Sequence, residues 1–380
     1  MNTSIYYRSF IESGGEIFRW DSFTLILYLF IILFAALIGW VIENRKKNND
    51  NTKILFVLLF VFLSFFLGVR GADVGVDTIS YRNAFDKALN PNAFSDETTE
   101  PGYQLLMKIL HIILPNADWA ILLLSSITVF FIINTFWHNR KEINIFFSVL
   151  FYVGFYYFQA LSLLRIYLAS AFILWGFHFL LEKRYKYYSI IILFASLFHY
   201  SSLVMFFPLL FLLVYRKHPY MAFLGAIFCL LGVIAVSSNF ADYISIARYS
   251  AYADVNEGSD KIGLKLFFDY LPSFFLVFFI YKNKIKGYME DVIVAFSVVG
   301  FLIRVIAYYI TIAGRLGIHF MPLYVLLVPF YINYIKHSHR RIYPFFCLFL
   351  IFYMIVRTHY YFVGYLSLDG IMPYNFIWND

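Results

Sequence analysis

The run ILFVLLFVFLSFFLGV at residues 54–69 is followed without a break by RGADVGVDTISYRNAF at residues 70–85. The first part carries no charge and reads as a helix that crosses a bilayer where it is locally thin. The second begins with an arginine at the membrane edge, and its glycines permit tight turns. Polar character then persists to Tyr103, the longest charged run between two strongly apolar parts of the chain. Any chemistry this protein performs is expected there.

Composition extends that reading to the whole chain. Of 380 residues 62% are hydrophobic and 14% charged, with a mean hydropathy of +0.72. A soluble fold cannot cover itself with so little polar surface, so the fold class is all-α and polytopic in a membrane. The net charge of +7 lies mostly in short loops between apolar spans, which argues against a nucleic-acid partner. Cys229 and Cys347 both fall in apolar segments and offer neither a disulfide framework nor a metal motif. Glu12, Glu16, Arg19 and Asp21 precede the first apolar span, so no cleavable signal peptide is expected.

Apolar spans read at 23–42, 54–70, 117–137, 143–158, 161–181, 188–199, 200–214, 219–237, 265–281, 290–312, 316–335 and 342–363, about 11 or 12 segments in one transmembrane domain over 1–380. Residues 188–214 have the length of one span, but charge favours two. With loops 43–53, 138–142, 182–187, 215–218, 282–291 and 336–341 inside, 17 of the 30 Lys and Arg face the cytoplasm against 6 of the 23 acids. A single crossing would put Lys282, Lys284, Lys286, Lys336, Arg340 and Arg341 outside, against the positive-inside rule. Two short helices meeting near His199-Tyr200-Ser201-Ser202 are therefore expected, with both termini outside. The long external segments are then 71–116, in which Glu100-Pro101-Gly102-Tyr103 opens an interfacial helix, and 238–264. No internal repeat of the transporter kind is visible.

Ionisable residues within spans are costly and default to function. Arg70, Arg165, Arg248, Arg304, Arg315 and Arg357 all fall toward the outer leaflet, which points to one cationic cavity for an anionic lipid diphosphate. The plainer alternative is that each snorkels or pairs locally, as Arg70 does if it meets Asp73 or Asp77. His199, at the expected helix break, is a candidate acid, base or sugar donor, or else satisfies a freed carbonyl. His178, His319 and His359 lack that context and read as packing or interfacial residues. Asp73, Asp77 and Glu100 are the acids nearest the focal stretch, although Asp and Gly are also ordinary turn formers. There is no HExxH, P-loop, GxGxxG on a strand or GxSxG, and no obligatory metal or other cofactor is expected.

Taken in order, Arg70, Gly75-Val76-Asp77-Thr78, Tyr81 to Phe85, Glu100-Pro101-Gly102-Tyr103, Leu164-Arg165, Phe198-His199-Tyr200-Ser201-Ser202 with Pro208, Arg248-Tyr249 with Tyr252, and Gly314-Arg315 before Pro322 form a pattern. It resembles the EpsG-type, Wzy-like polymerases of bacterial surface polysaccharides, including exopolysaccharide and O-antigen. The resemblance implies a GT-C-like, metal-independent glycosyltransferase in the bacterial inner membrane, working on the external face. It would move a glycan from an undecaprenyl diphosphate carrier to the non-reducing end of another lipid-linked repeat unit. Donor and acceptor glycolipids and membrane lipid are the implied partners, with a chain-length regulator and export proteins beside them. Arg70, Asp77, Arg165, His199 and Arg315 are then the catalytic candidates. Asp73, Tyr81, Glu100, Tyr103, Arg248, Tyr249 and Arg304 are the substrate-binding ones. An O-antigen ligase-type transferase and a lipid-linked oligosaccharide flippase are the alternatives. A flippase predicts charges lining a path from both sides, whereas here they cluster outward.

Overall fold

The computed structural model describes residues 21–45, 51–90, 99–237, 264–309, 311–364, 366 and 369–379. The external loop read at 238–264, with Arg248 and Tyr249, lies outside the described residues except for Leu264, as do the acids read before Asp21. Among the described residues the regular structure is helical, with a single isolated β-bridge and no strand. Among the described residues five stretches are long and apolar enough to cross a membrane alone: Ser22–Arg45, Ala117–His138, Leu164–Leu181, Ala313–Ser338 and Tyr343–Gly364. Five shorter apolar helices accompany them. The protein is an all-α, multi-pass membrane protein, as its composition requires.

The chain divides into two compact units. The first comprises residues 1–175, 197–199 and 329–380. Its main helices are α1 (Ser22–Arg45), α2 (Asn51–Gly68), α3 (Thr78–Asp86), α4 (Pro101–Ile113), α5 (Ala117–His138) and α6 (Ile145–Tyr152), followed by the start of α7 (Leu164–Leu181). Helix α2 packs along α5, and α1 along α6. Phe and Tyr rings fill the space between helices, as where Phe158 lies 4.6 Å from Tyr28. Helix starts are capped by side chains: Asn116 accepts from the Trp119 amide, and the Glu43 carboxylate accepts from the Ile145 amide at 2.7 Å.

The second unit comprises residues 176–196 and 200–328. Within it α12 (Tyr288–Tyr309) packs against α9 (Phe206–Tyr215), α10 (Pro219–Ser237) and α11 (Leu271–Lys282). Helix α8 (Tyr185–Ser196) ends where the sequence places a break, and a 3₁₀ turn, Tyr200–Met205, leads into α9. At the end of α8 the Ser196 hydroxyl donates back to the Leu193 carbonyl at 2.7 Å, a local bond that competes with the helical ladder.

Several expected spans are less regular than their hydropathy implies. Helix α6 passes into a π-turn, Val153–Tyr157, and the chain leaves helical geometry at Leu163 before α7 begins. The expected span 265–281 is divided at Tyr270, one residue before Leu271-Pro272. The span expected at 316–335 opens as a 3₁₀ segment, Thr311–Phe320, passes through a π-turn and becomes α13 (Val328–Ser338). Gly154, Pro272, Gly314, Gly317 and Pro322 stand at all of these places but Leu163; proline removes an amide donor and glycine lowers helix propensity, and hydropathy does not register either effect.

Candidate functional site

The first unit gathers polar side chains where the 70–77 loop, α3, α4 and the start of α7 meet. The loop folds tightly because Gly75 adopts φ +91°, and a Cβ there would sit 2.2 Å from the Leu161 carbonyl oxygen. Only glycine satisfies both conditions. The turn delivers Asp77 to the N-terminus of α3, with Tyr81 one turn further on.

Because the chain breaks at Leu163, Arg165 is the second residue of α7 rather than four residues into the span read at 161–181. Its guanidinium meets the Glu100 carboxylate at 3.0 Å and lies 4.9 Å above the centre of the Tyr103 ring. Glu100 is 1% exposed and the Arg165 side chain 21%, so the cation keeps an open side while its partner is enclosed. Proline at the first turn starts α4 directly after Glu100. Gly102 lets α4 approach the Leu197 backbone, where a Cβ would lie 2.8 Å from the carbonyl oxygen, and the Tyr103 amide donates to that oxygen at 3.1 Å. His199, half-buried two residues beyond Leu197, belongs to the same unit.

Tyr81 joins α3 to the start of α7. Its hydroxyl donates to the Ser162 carbonyl at 3.3 Å, stands 3.4 Å from the Asp77 carboxylate and accepts from the Arg165 backbone amide. Burial, reinforced by Asp77, holds this phenol well above its ordinary pKa. Tyr103 is also held protonated: burial and the nearby Asp77 and Glu100 carboxylates outweigh the opposing pull of Arg165. The buried Tyr103 hydroxyl has no hydrogen-bond partner among the described residues.

Arg70 does not open to solvent in this arrangement. It is 1% exposed, donates through Nε to Thr78 Oγ1 at 3.2 Å and through Nη1 to the Leu67 carbonyl, and makes no ion pair among the described residues. It therefore caps the carbonyl end of α2, where the helix dipole favours a cation, and holds the start of α3 through Thr78. The local pairing with Asp73 or Asp77 considered from sequence is not what forms. Asp73 is exposed and accepts from the Asn375 side chain at 2.6 Å. Arg357 stands 5.3 Å from the Phe155 ring centre in the same unit.

In the second unit Arg304 pairs with Asp269 at 3.3 Å, and the Asp269 carbonyl accepts from the Tyr324 hydroxyl at 2.6 Å. Gly314, one residue before half-buried Arg315, would place a Cβ 3.6 Å from Arg304 Nη1. Ser201 Oγ and Nε2 of fully buried His319 are 2.7 Å apart. Sequence reading missed Asp269, Ser162 and the Ser201–His319 pair. Asp269 carried a usable signal, an acid inside an apolar stretch. Ser162 and the His319 pairing carried none, because each depends on a neighbour distant in sequence. Among the described residues, no three His, Cys, Asp or Glu side chains cluster as metal ligands would.

Fold and site together define a multi-pass α-helical membrane protein with buried ionic and phenolic groups gathered at a helix N-terminus. The EpsG family model matches residues 53–376, which is most of the chain and includes every candidate site residue. The chain belongs to the EpsG family, and is thus a membrane protein of polysaccharide synthesis. No curated protein and no solved structure gives a significant match.

Proposed function

We propose that this protein is a polysaccharide polymerase, moving a growing glycan from an undecaprenyl diphosphate carrier to the non-reducing end of another lipid-linked repeat unit. The observation that carries this reading is Arg165, in the first turn of α7, anchored by Glu100 and Tyr103 beside Asp77 and Tyr81. A helix N-terminus and a guanidinium with an open side both favour an anion, and a diphosphate matches the guanidinium fork.

In the transfer, an acceptor hydroxyl oxygen bonds to the anomeric carbon as the bond from that carbon to the diphosphate breaks. The electron pair leaves on the diphosphate, where Arg165 and the α7 N-terminus stabilise charge as it develops. The hydroxyl proton passes to Asp77, which is half-buried and accessible, unlike Glu100. Glu100 and the Tyr103 ring fix the guanidinium, and Arg70 organises the loop. We assign contacts to carrier or glycan to His199, Arg304, Arg315, Arg248 and Tyr249. The site faces outward from the cytoplasmic membrane, since the short inward loops are the basic ones.

Purified protein reconstituted with a lipid-linked repeat unit is expected to build a ladder of longer lipid-linked glycans. Absence of a ladder, with units instead moving between leaflets, would identify a flippase. Asp77→Cys is expected to react with an impermeant maleimide only from outside, and Lys217→Cys only from inside. Labelling in the reverse sense overturns the orientation.

A further inference from the structure

The C-terminal residues 369–377 lie along the 70–77 loop as a strap. The Gly71 amide donates to the Asn375 carbonyl at 2.8 Å and the Ile377 amide to the Val69 carbonyl at 3.0 Å, flanking an antiparallel bridge between Arg70 and Phe376. At the other end of the loop, the Gly75 amide donates to the Gly370 carbonyl at 2.6 Å and the Val76 amide to the Asp369 carbonyl at 3.3 Å. The Asn375 side chain closes the middle by donating to Asp73.

The strap is itself anchored. Buried Tyr374 donates its amide to Thr24 Oγ1 at 2.7 Å and its hydroxyl to the Phe66 carbonyl at 2.8 Å, and Tyr28 donates to the Ile371 carbonyl at 2.5 Å. The loop thus borrows rigidity from α1 and α2. Gly71 and Gly75 are buried, so their amides depend on strap carbonyls that no water replaces. The Val76 amide also donates to Ser162 Oγ at 3.1 Å. Strap, loop and the entry to α7 therefore converge one residue before Asp77 and three before Arg165. The family match extends to residue 376 and so includes all of the strap but Ile377.

We infer that the strap is a positioning element that holds Asp77 in register with Arg165, and that Asn375 is a positioning residue within it. The inference rests on the proposed role of Asp77 in chain growth. Side-chain orientation in such a site has a steep effect on rate, since a shift of about 1 Å costs on the order of 100-fold.

The test uses full-length protein in nanodiscs with two readouts, hydrogen exchange of the 69–78 amides and the kcat and KM of chain growth. Asn375→Asp sets a carboxylate against Asp73 at an exposed contact. It is expected to speed exchange at Gly71, Gly75 and Val76 and to lower kcat by about tenfold or more with KM little changed. Asn375→Lys, which restores a donor to Asp73, is expected to return both toward wild type. Unchanged exchange in Asn375→Asp overturns the strap as the loop's support. Faster exchange with undiminished kcat overturns its positioning role. If wild-type protein builds no chains, the proposed function falls, and exchange alone still decides whether the strap holds the loop.

Discussion

Replacing Arg165 by lysine separates charge from geometry at the candidate site. Lysine keeps the positive charge beside Glu100 but loses the planar fork and its stacking over Tyr103. The stacking contributes about 0.5–1 kcal/mol where it is partly exposed. The charged hydrogen bond to Glu100, worth about 1.5–3 kcal/mol, is weakened rather than abolished, and the 21% exposure of Arg165 lets water compensate part of the loss. A stability cost of about 1–2 kcal/mol follows, small against a typical folding free energy of roughly 5–15 kcal/mol. The transition state suffers more. Removing a preorganised donor from a developing oxyanion costs about 10²–10³ in kcat, or about 2.7–4 kcal/mol. Reconstituted Arg165→Lys is therefore expected to insert and unfold near the wild-type temperature by tryptophan fluorescence while chain growth drops at least 100-fold. A near-wild-type ladder from correctly inserted Arg165→Lys would refute the role of the fork. As a companion, Glu100→Gln removes the anchoring charge with little change of shape, and its rate is expected to fall because the guanidinium is no longer held.

Gly75→Ala forces a side chain onto φ +91° and into the Leu161 carbonyl, so it should cost more than the roughly 1–3 kcal/mol of backbone strain alone. A lowered melting temperature with faster amide exchange at 71–77 is the expected result, and wild-type values for both would contradict the loop geometry. Tyr81 and Tyr103 have folded pKa values raised above the ordinary phenol value near ~10, so the folded state keeps protons that the unfolded chain releases at high pH. Their contribution to stability is constant below about pH 10 and is lost as pH rises beyond it, so Tyr81→Phe and Tyr103→Phe should show a shallower alkaline fall in melting temperature than wild type. Chain growth is expected to persist after chelation by EDTA, measured on the same ladder, and loss of growth restored by a divalent cation would show that the arginine-centred account is incomplete.

Much of the fold was legible because burial in lipid leaves few options. Runs such as 54–69 can satisfy their backbone only as helices. The break after residue 196 was visible from charge, since one crossing there would have placed every later basic loop outside. Of the site, Asp77, Glu100 and Arg165 could be singled out as ionisable residues in or beside apolar spans, and Tyr81 and Tyr103 through the family resemblance. Their mutual placement could not, because Glu100 and Arg165 are 65 positions apart and meet only through packing of α4 against the entry to α7.

Sequence by itself determined that this chain is an all-α membrane protein, since composition, helix-length hydropathy and charged loops act through local physics, while the likeness to the EpsG family rests on its ordered polar blocks and the family match. Tertiary structure alone decided what the focal arginine does. Arg70 read as the first cation of a binding cleft, yet a buried cation takes whatever acceptors surround it, and here those are the end of α2 and Thr78. It also brought the C-terminal strap onto the 70–77 loop, a pairing across some 300 residues of chain made by backbone groups that every residue carries and no motif records.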